Sequence, residues 1–420
     1  MSVKLRKDLV VLTILMLVAG LVLGGCGQKK PEAPKEPEKT VIRFAHWRGE
    51  DKAAFDAIIK KFEAENPTIK VEQSIEGSEK HDTKILAEFQ AKNGPDVFAV
   101  MPGARFANVV KGGWFLDISG EKFLEVVKPH LRLPGQDGGK QYAVPYQLVL
   151  NDPVYNKAIF EKYKLEPPKD WKGFLALCET LKKNGVTPII FDSEIGPGQF
   201  MNPMLMNNMP SDDALVKVQK GELKLTEDWF VTTLKQFKEL NDKGYFQKDV
   251  LGTKKAGAAA LFAQEKGAML AQGSYMMASN KQANPNLKQG LLAPITVSAD
   301  KMKYEGIHTA TFMIAVNKDS KNVEAAKKFM AFLFKPEIAA EYANATGQML
   351  TISGVQYKTE ELMEQAKWLE KKTLFQPRYM ITVSEVEKAI VNSIMDVIGG
   401  MAPEKAALKA QQEVDRVIKK

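Results

Sequence analysis

The 420-residue sequence predicts an α/β fold in two lobes. Three observations carry this reading. Strand-like runs alternate with amphipathic helices. With 45% of residues hydrophobic and 26% charged, the chain can bury sizeable cores. The body is also too long for one simple open sheet. The composition excludes a disordered chain, a collagen-like fibre and a multi-span membrane protein. The net charge of +8, from 59 basic and 51 acidic side chains, is small beside its total, and Lys and Glu alternate. The balance therefore does not point to nucleic acid. Two cysteines, Cys26 and Cys178, cannot make a disulfide framework.

Val41-Ile42-Arg43-Phe44-Ala45 is a short β-rich run. Ala53, Phe55, Ile58, Ile59 and Phe62 then recur at helical spacing over 52–65. Asn66-Pro67 stops that helix, because the position before proline disfavours αR. Residues 69–72 alternate like a strand, 81–92 resume a helical pattern, and 96–100 form a buried-looking strand. Such strand–helix–strand order predicts a mostly parallel sheet with covering helices. Residues 170–183 read as a helix with an acidic cap and a basic end. Strands follow at 187–191, 291–297 and 311–316, and helices at 226–243, 256–267 and 322–334; after Thr359 the chain looks helical, with no clear strand. No fixed-period repeat is present, which argues against a solenoid or propeller.

The amino terminus reads as an address. Lys4, Arg6 and Lys7 precede an apolar run over 9–23, shorter than the ~20 residues a membrane-spanning helix needs. A basic start, a short apolar middle and small residues make residues 1–25 a secretory signal peptide. Leu23-Gly24-Gly25-Cys26 resembles the lipobox of bacterial lipoproteins. The resemblance implies cleavage before Cys26 and acylation of that residue; two acyl chains give stable anchoring where one does not. Residues 26–40, rich in Pro, Lys and Glu, should form a disordered, solvated tether. The body is thus expected outside a membrane, anchored to it by the lipidated cysteine.

No catalytic or cofactor motif stands out. The histidines His46, His81, His130 and His308 are not paired at i,i+4 or with a Cys-x-x-Cys, so no metal site and no cofactor are expected. Phosphate-loop, dinucleotide and nucleophile-elbow patterns are absent. Cys178 lies in a helical pattern with Leu175, Leu177 and Leu181 and reads as a buried, inert thiol.

Several segments resemble, in order and spacing, the sugar-binding lipoproteins of bacterial ABC importers, the maltose-binding-protein-like cluster of extracellular solute-binding proteins. They include Ile42-Arg43-Phe44-Ala45-His46-Trp47, Gly94-Pro95-Asp96-Val97-Phe98, Tyr142-Ala143-Val144-Pro145, Val154-Tyr155-Asn156-Lys157, Gly273-Ser274-Tyr275 and Ala315-Val316-Asn317-Lys318. The resemblance spans roughly 41–350. It implies a periplasmic-binding-protein-like fold: two lobes, a hinge of crossing strands near 145–150, 294–311 and 347–353, and a central ligand cleft. Lobe 1 would take 41–147 and 310–346, and lobe 2 would take 148–309 and 347–420. It also implies a monomeric, non-catalytic receptor that captures a mono- or oligosaccharide and delivers it to the transmembrane subunits of a permease. Two alternatives stay open: an exported glycan-active enzyme, and a sugar receptor for a membrane sensor.

Sugar chemistry sorts the candidate residues. A pyranose offers an apolar face and a rim of hydroxyls, so it calls for aromatic platforms and planar polar groups where strands end. His46, Trp47, Arg48 and Glu50 follow the first strand directly. Asp96 stands at a strand entry, and Tyr146 and Gln147 at the first crossing. Phe200 and Tyr275 occupy places where relatives show tryptophan. His308 replaces a small residue, and Arg378 and Tyr379 follow Pro377 in a break between helices. Asn151-Asp152 departs from the more apolar approach usual in the family. Met201, Met204, Met206 and Met209 read as adaptable packing, with an apolar part of the cleft as the alternative.

Overall fold

The computed structural model describes residues 39–419. The expected signal peptide, Cys26 with its expected lipid and most of the expected tether lie outside the described residues. The body opens with β1 (Thr40–His46), which therefore takes up the last residue expected in the tether. It runs parallel to β2 (Ile69–Ile75) and to β3 (Val97–Val100). Helix α1 (Lys52–Glu65) links β1 to β2 and buries Phe55, Ile58, Ile59 and Phe62, the stripe its spacing predicts. After β2 comes α2 (Ser78–Gln90), and after β3 comes α3 (Ala104–Gly112). The chain then enters β4 (Ala143–Leu150) and β5 (Val154–Asn156).

Helix α4 (Trp171–Lys183) starts where the Asp170 carboxylate accepts the Gly173 N–H at 2.7 Å, the acidic cap the sequence predicts. It leads into β6 (Thr187–Ile190), α5 (Gly196–Leu205) and α6 (Asp228–Asp242). Strands β7 (Gly267–Leu270), β8 (Gln289–Leu291) and β9 (Gly306–Val316) follow. The rest comprises α7 (Val323–Leu333), α8 (Pro336–Thr346), β10 (Thr373–Phe375), α9 (Ser384–Ile398) and α10 (Pro403–Ile418).

Three expectations need correcting. The strand expected over 291–297 is confined to β8; Pro294 has no N–H to give a ladder. The helix expected over 256–267 stops at Ala263, because Glu265 turns the backbone at φ 58° into β7. The tail contains a strand after all: β10 is three residues long, too short for alternation to register, and it pairs in parallel with β9.

A six-stranded sheet has the order β10-β9-β3-β1-β2, with β4 also paired to β9; a four-stranded sheet has the order β8-β5-β7-β6. In the first, β1 runs parallel to both β2 and β3 as expected and β10 runs parallel to β9, while the second is mostly antiparallel. Strand β9 is antiparallel to β3 and β4, and in the second sheet only β6 and β7 run parallel. Side-chain alternation lets the first sheet serve two cores. Ile42, Phe44, Val97 and Ala99 pack with Phe55, Phe62 and Phe329 on one face, while Ala45, Phe98 and Val100 pack with Phe89 and Phe106 on the other. The second sheet belongs to a separate core that includes Phe174, Cys178, Phe237 and Ile394. All four methionines of the 201–209 cluster are buried in that core, which is the packing reading.

The first two cores draw on 42–148 and 312–362, and the third on 150–307 and 368–414. The chain passes between them on β4 and β9, which pair from His308↔Leu150 to Ala315↔Ala143. A third segment lies along the other side of β4: the Leu148 N–H donates to Met349 O at 2.9 Å, and the Thr351 N–H to Tyr146 O at 3.0 Å.

Candidate functional site

Strand pairing decides which side chains near the crossings meet. Residues directly opposite in an antiparallel pair share a face. Val149 and Thr309 therefore share one face, and Leu150 and His308 the other. Asn151, just past β4, joins the Thr309 side: its Nδ2 donates to Thr309 Oγ1 at 2.7 Å and to Gln376 Oε1 at 2.5 Å. Thr309 Oγ1 also donates to Gln376 Oε1 at 2.6 Å. Gln376 Nε2 donates to Gln199 Oε1, and Gln199 Nε2 to Asn151 Oδ1, both at 3.3 Å. Gln199 Nε2 reaches Tyr275 OH at 3.5 Å. The result is a ring of amides and hydroxyls that satisfy one another, with the half-buried Tyr275 at its edge.

Arg378 and Tyr379 stand beside this ring. The short turn Pro377–Met380 follows Gln376 directly, and the Arg378 N–H donates to Asn202 Oδ1 at 3.2 Å. The Arg378 guanidinium lies 4.9 Å from the Tyr379 ring centroid and donates to its hydroxyl at 3.3 Å. It rests where a Cβ on Gly198 would come within 2.1 Å of Nη1, so a larger residue at 198 would push the guanidinium from this position. Glu387 Oε1 lies 3.7 Å from Arg378 Nε and offsets the charge.

The first sheet approaches from the opposite side. Tyr379 OH lies 3.7 Å from Met101 Sδ, and Asn108 Nδ2 donates to Ser384 Oγ at 3.3 Å. Gly103, at φ 76°, comes so close that an added Cβ would sit 2.8 Å from Ile381 O and 2.9 Å from Tyr379 O. Arg105 connects this contact inward, to Met101 Sδ at 3.0 Å and to Asp82 at 2.6 Å. Asp82 neighbours His81, whose ring meets Trp47 edge-on at 5.2 Å. Trp47 is half-buried and also packs edge-on to Phe312 at 5.0 Å. Phe312 holds φ 47° within β9, a left-handed conformation costing about 1–3 kcal/mol that is uncommon for a bulky residue.

The structure thus brings Tyr275, Arg378 and Tyr379 together, with Trp47 reached through His81, Asp82, Arg105 and Met101. The other sequence candidates go elsewhere. His46 is 0% exposed; its Nδ1 accepts the Arg48 N–H at 3.1 Å, so Nε2 carries the proton and donates to Gln73 Oε1 at 2.9 Å. Burial lowers its pKa to about 4, in keeping with a neutral ring already satisfied inside lobe 1.

Arg48 is buried too: Nε pairs with Asp51 Oδ2 at 2.7 Å and Nη1 with the exposed Glu50 at 3.0 Å. Asp51 Oδ2 accepts Tyr342 OH at 2.6 Å, and Tyr342 OH accepts Gln147 Nε2 at 2.6 Å. Gln147 is therefore committed to this internal network. Tyr146 lies in the core against Phe334 and Tyr342 at 5.3 and 5.2 Å. Phe200 lies in the other core, edge-on to Phe237 at 5.6 Å.

Asp96 stands at the amino-terminal end of β3, away from Met101. It ties strands together instead, accepting the Arg43 N–H at 2.8 Å and Ser320 Oγ at 2.5 Å. His308 faces the opposite side of β9, where its Nδ1 meets Thr373 Oγ1 at 2.9 Å. Among the described residues, no group of three or more His, Cys, Asp or Glu could hold a metal ion.

Sequence reasoning did not place Asn151, Gln199, Thr309, Gln376 and Met101 in this cluster. Two signals pointed there. Asn151 departs from the apolar approach usual in the family, and Gln199 and Gln376 stand one and two positions from flagged residues.

The pattern of the family described as "Bacterial extracellular solute-binding protein" matches residues 47–340. The multiple sugar-binding protein of Streptococcus mutans serotype c is 25% identical over 347 residues, covering 80% of this chain and 81% of that protein. The melibiose/raffinose/stachyose-binding protein MelE of Bacillus subtilis (strain 168) is 24% identical over 337 residues, covering 78% and 77%. Among solved structures, SBP RafE in complex with raffinose superposes with a TM-score of 0.78 at 20% identity, covering 90% of this chain and 100% of that one. A chitin oligosaccharide binding protein gives 0.79 at 21%, covering 91% and 100%. The solved relatives share the two-lobe fold, the matched pattern covers more than half of the sequence, and the chain belongs to the family of bacterial extracellular solute-binding proteins.

Proposed function

We propose that this chain is the extracytoplasmic receptor of an ABC importer and that it captures a carbohydrate between its lobes. One observation carries the reading: the ring of Asn151, Gln199, Thr309 and Gln376, flanked by Tyr275, Arg378 and Tyr379, opposite Met101 and Gly103 of the other lobe. Amides both donate and accept, so bonds within the ring exchange for bonds to sugar hydroxyls at little net cost. Tyr275, and Trp47 from the facing lobe, offer the aromatic surface. Lobe 1 takes 41–148 and 310–362 and lobe 2 takes 149–309 and 363–420, which shifts the boundary expected at 347, because Leu148, Met349, Leu350, Ile352 and Leu362 pack in the core of the first lobe. A solute touching both lobes favours the closed arrangement, because only there are all its contacts made.

The receptor is a monomer, releases its solute unaltered and docks on the permease. Cys26 carries the lipid that anchors it to the cell membrane. Relatives named for multiple sugars and for melibiose, raffinose and stachyose support a neutral mono- or oligosaccharide. A thermal-shift screen of sugars tests this: a solute at a hundred times its Kd stabilises by about 2.7 kcal/mol. A screen without a hit would remove the sugar assignment, and turnover of any hit would favour the glycan-active enzyme.

A further inference from the structure

The face of β4 and β9 that carries Leu150 and His308, opposite the amide ring, borders a separate cavity of about 380 Å³. That volume falls within the ~300–1,000 Å³ range of small-molecule sites. Its floor is apolar: Leu148, Leu150, Ile352 and Trp368 are all buried. Its rim is basic and polar. Lys128 and His130 are exposed there, and the half-buried His308 is held against Thr373. No aspartate or glutamate lines it. Nearby, Lys371 Nζ lies 4.2 Å from the Trp368 ring centroid and is paired with Glu305 at 3.8 Å.

The walls come from both sides of the hinge. Leu148 and Ile352 pack in a core of the first lobe, and Leu150 and Trp368 in the core of the second. The cavity thus spans β4, β9 and the segment near 350, the three stretches that lie side by side at the crossing. A rotation that separates Met101 from Tyr379 on the front face must move these walls relative to one another. Burial and then the nearby His130 lower the His308 pKa to about 4, so an anion would meet Lys128 and His130 first.

We propose that this cavity is a second small-molecule site, taking an amphiphilic monocarboxylate whose apolar body lies on Leu150 and Trp368 and whose carboxylate meets Lys128 and His130, and that its occupancy holds the lobes closed. A ligand that contacts walls from both cores binds the two lobe arrangements unequally, so it shifts the population toward the arrangement it fits. By reciprocity it raises the affinity of the front site for its solute. The proposal needs the two-lobe fold but not the identity of the front solute.

The test uses 4-phenylbutyrate, with 4-phenylbutanol as its uncharged twin, on the purified protein without sugar. Calorimetry should show saturable 4-phenylbutyrate binding that falls tenfold or more in the Lys128→Gln/His130→Gln double variant, with the alcohol unaffected. Filling the cavity with Ser353→Trp, at an exposed position, should abolish both. Because Lys128 and His130 are exposed, the double variant keeps the test valid if the tryptophan variant fails to fold. No saturable binding, or equal binding of acid and alcohol, would overturn the site. Small-angle scattering should show a smaller radius of gyration with 4-phenylbutyrate; an unchanged radius with the site filled would overturn the coupling.

Discussion

The two sides that meet at Met101 and Tyr379 are built from different materials. On the first lobe, planar polar groups at the end of β1 and on β4 are locked into its interior: His46 on Gln73, Arg48 on Asp51, Gln147 on Tyr342. On the second lobe, the amides bond chiefly to one another, and Tyr275, Arg378 and Tyr379 stay partly open. The difference lies in what a ligand would displace. Exchanging one amide partner for a hydroxyl leaves every group bonded, whereas drawing Arg48 away from Asp51 would leave a buried charge without its partner. Residue type at a strand end therefore does not identify a contact; the replaceability of its present partners does.

Removing one member of the first lobe's ion pair should have the largest effect. Arg48→Met should destabilise the fold by about 3–5 kcal/mol in urea denaturation, because Asp51 stays buried without its cation. Solute affinity of the fraction that remains folded should stay close to that of the parent. If affinity fell while stability held, Arg48 would face the ligand and the contrast would break.

Two buried groups, His46 in the first lobe and Asp152 in the second, respond to pH in opposite directions. Burial lowers His46 to about 4, so between about pH 6.5 and 4 the unfolded chain takes up a proton that the native ring refuses. Stability from that source is therefore lost as pH falls. Asp152, fully buried and accepting the Ile307 N–H at 3.0 Å, is raised to about 8 by burial. Between about pH 4 and 8 it keeps a proton that the unfolded chain gives up, so its contribution is lost as pH rises. The two slopes oppose below pH 6.5, and above it only Asp152 of this pair acts. At about 1.4 kcal/mol per pKa unit, it should cost about 2 kcal/mol between pH 6.5 and 8. Chemical denaturation of Asp152→Asn at pH 6.5 and 8 should show that decline removed; an undiminished decline would assign it to another group.

At the amide ring, Tyr275→Ala should weaken solute binding tenfold or more, about 1.4 kcal/mol, with little change in unfolding midpoint. Titration calorimetry with a solute from the sugar screen reads it. Unchanged affinity would move the aromatic contact away from this lobe.

The fold was largely legible because its signals are local. The α1 stripe, the Asp170 cap and the β1 and β3 runs each form from neighbours in sequence. Strand β10 was not, because three residues carry no period and its pairing with β9 spans more than sixty positions. The site divides similarly. Tyr275, Arg378 and Tyr379 stand in breaks between elements, where side chains lie open. Tyr146, Gln147 and Phe200 also stand near crossings or helix starts, but tertiary packing turns them inward. Their facing depends on a partner distant in sequence: Tyr342 for the first two, Phe237 for the third.

The smallest effect concerns Glu50, which shares the Arg48 guanidinium with Asp51. Its Oε1 lies 3.0 Å from Nη1, scarcely farther than the 2.7 Å between Asp51 and Nε, yet its side chain is 49% exposed against 3% for Asp51. Distance alone would rank the two carboxylates as near equals. Solvent does not: water screens the outer pair and hydrates either partner when the pair parts, while the inner pair has only protein around it. Glu50→Gln should therefore change stability by no more than about 0.5 kcal/mol and leave solute affinity intact, while Asp51→Asn should cost several times as much. A marked affinity loss in Glu50→Gln, with the unfolding midpoint unmoved, would place Glu50 against the solute and return one polar contact to the first lobe.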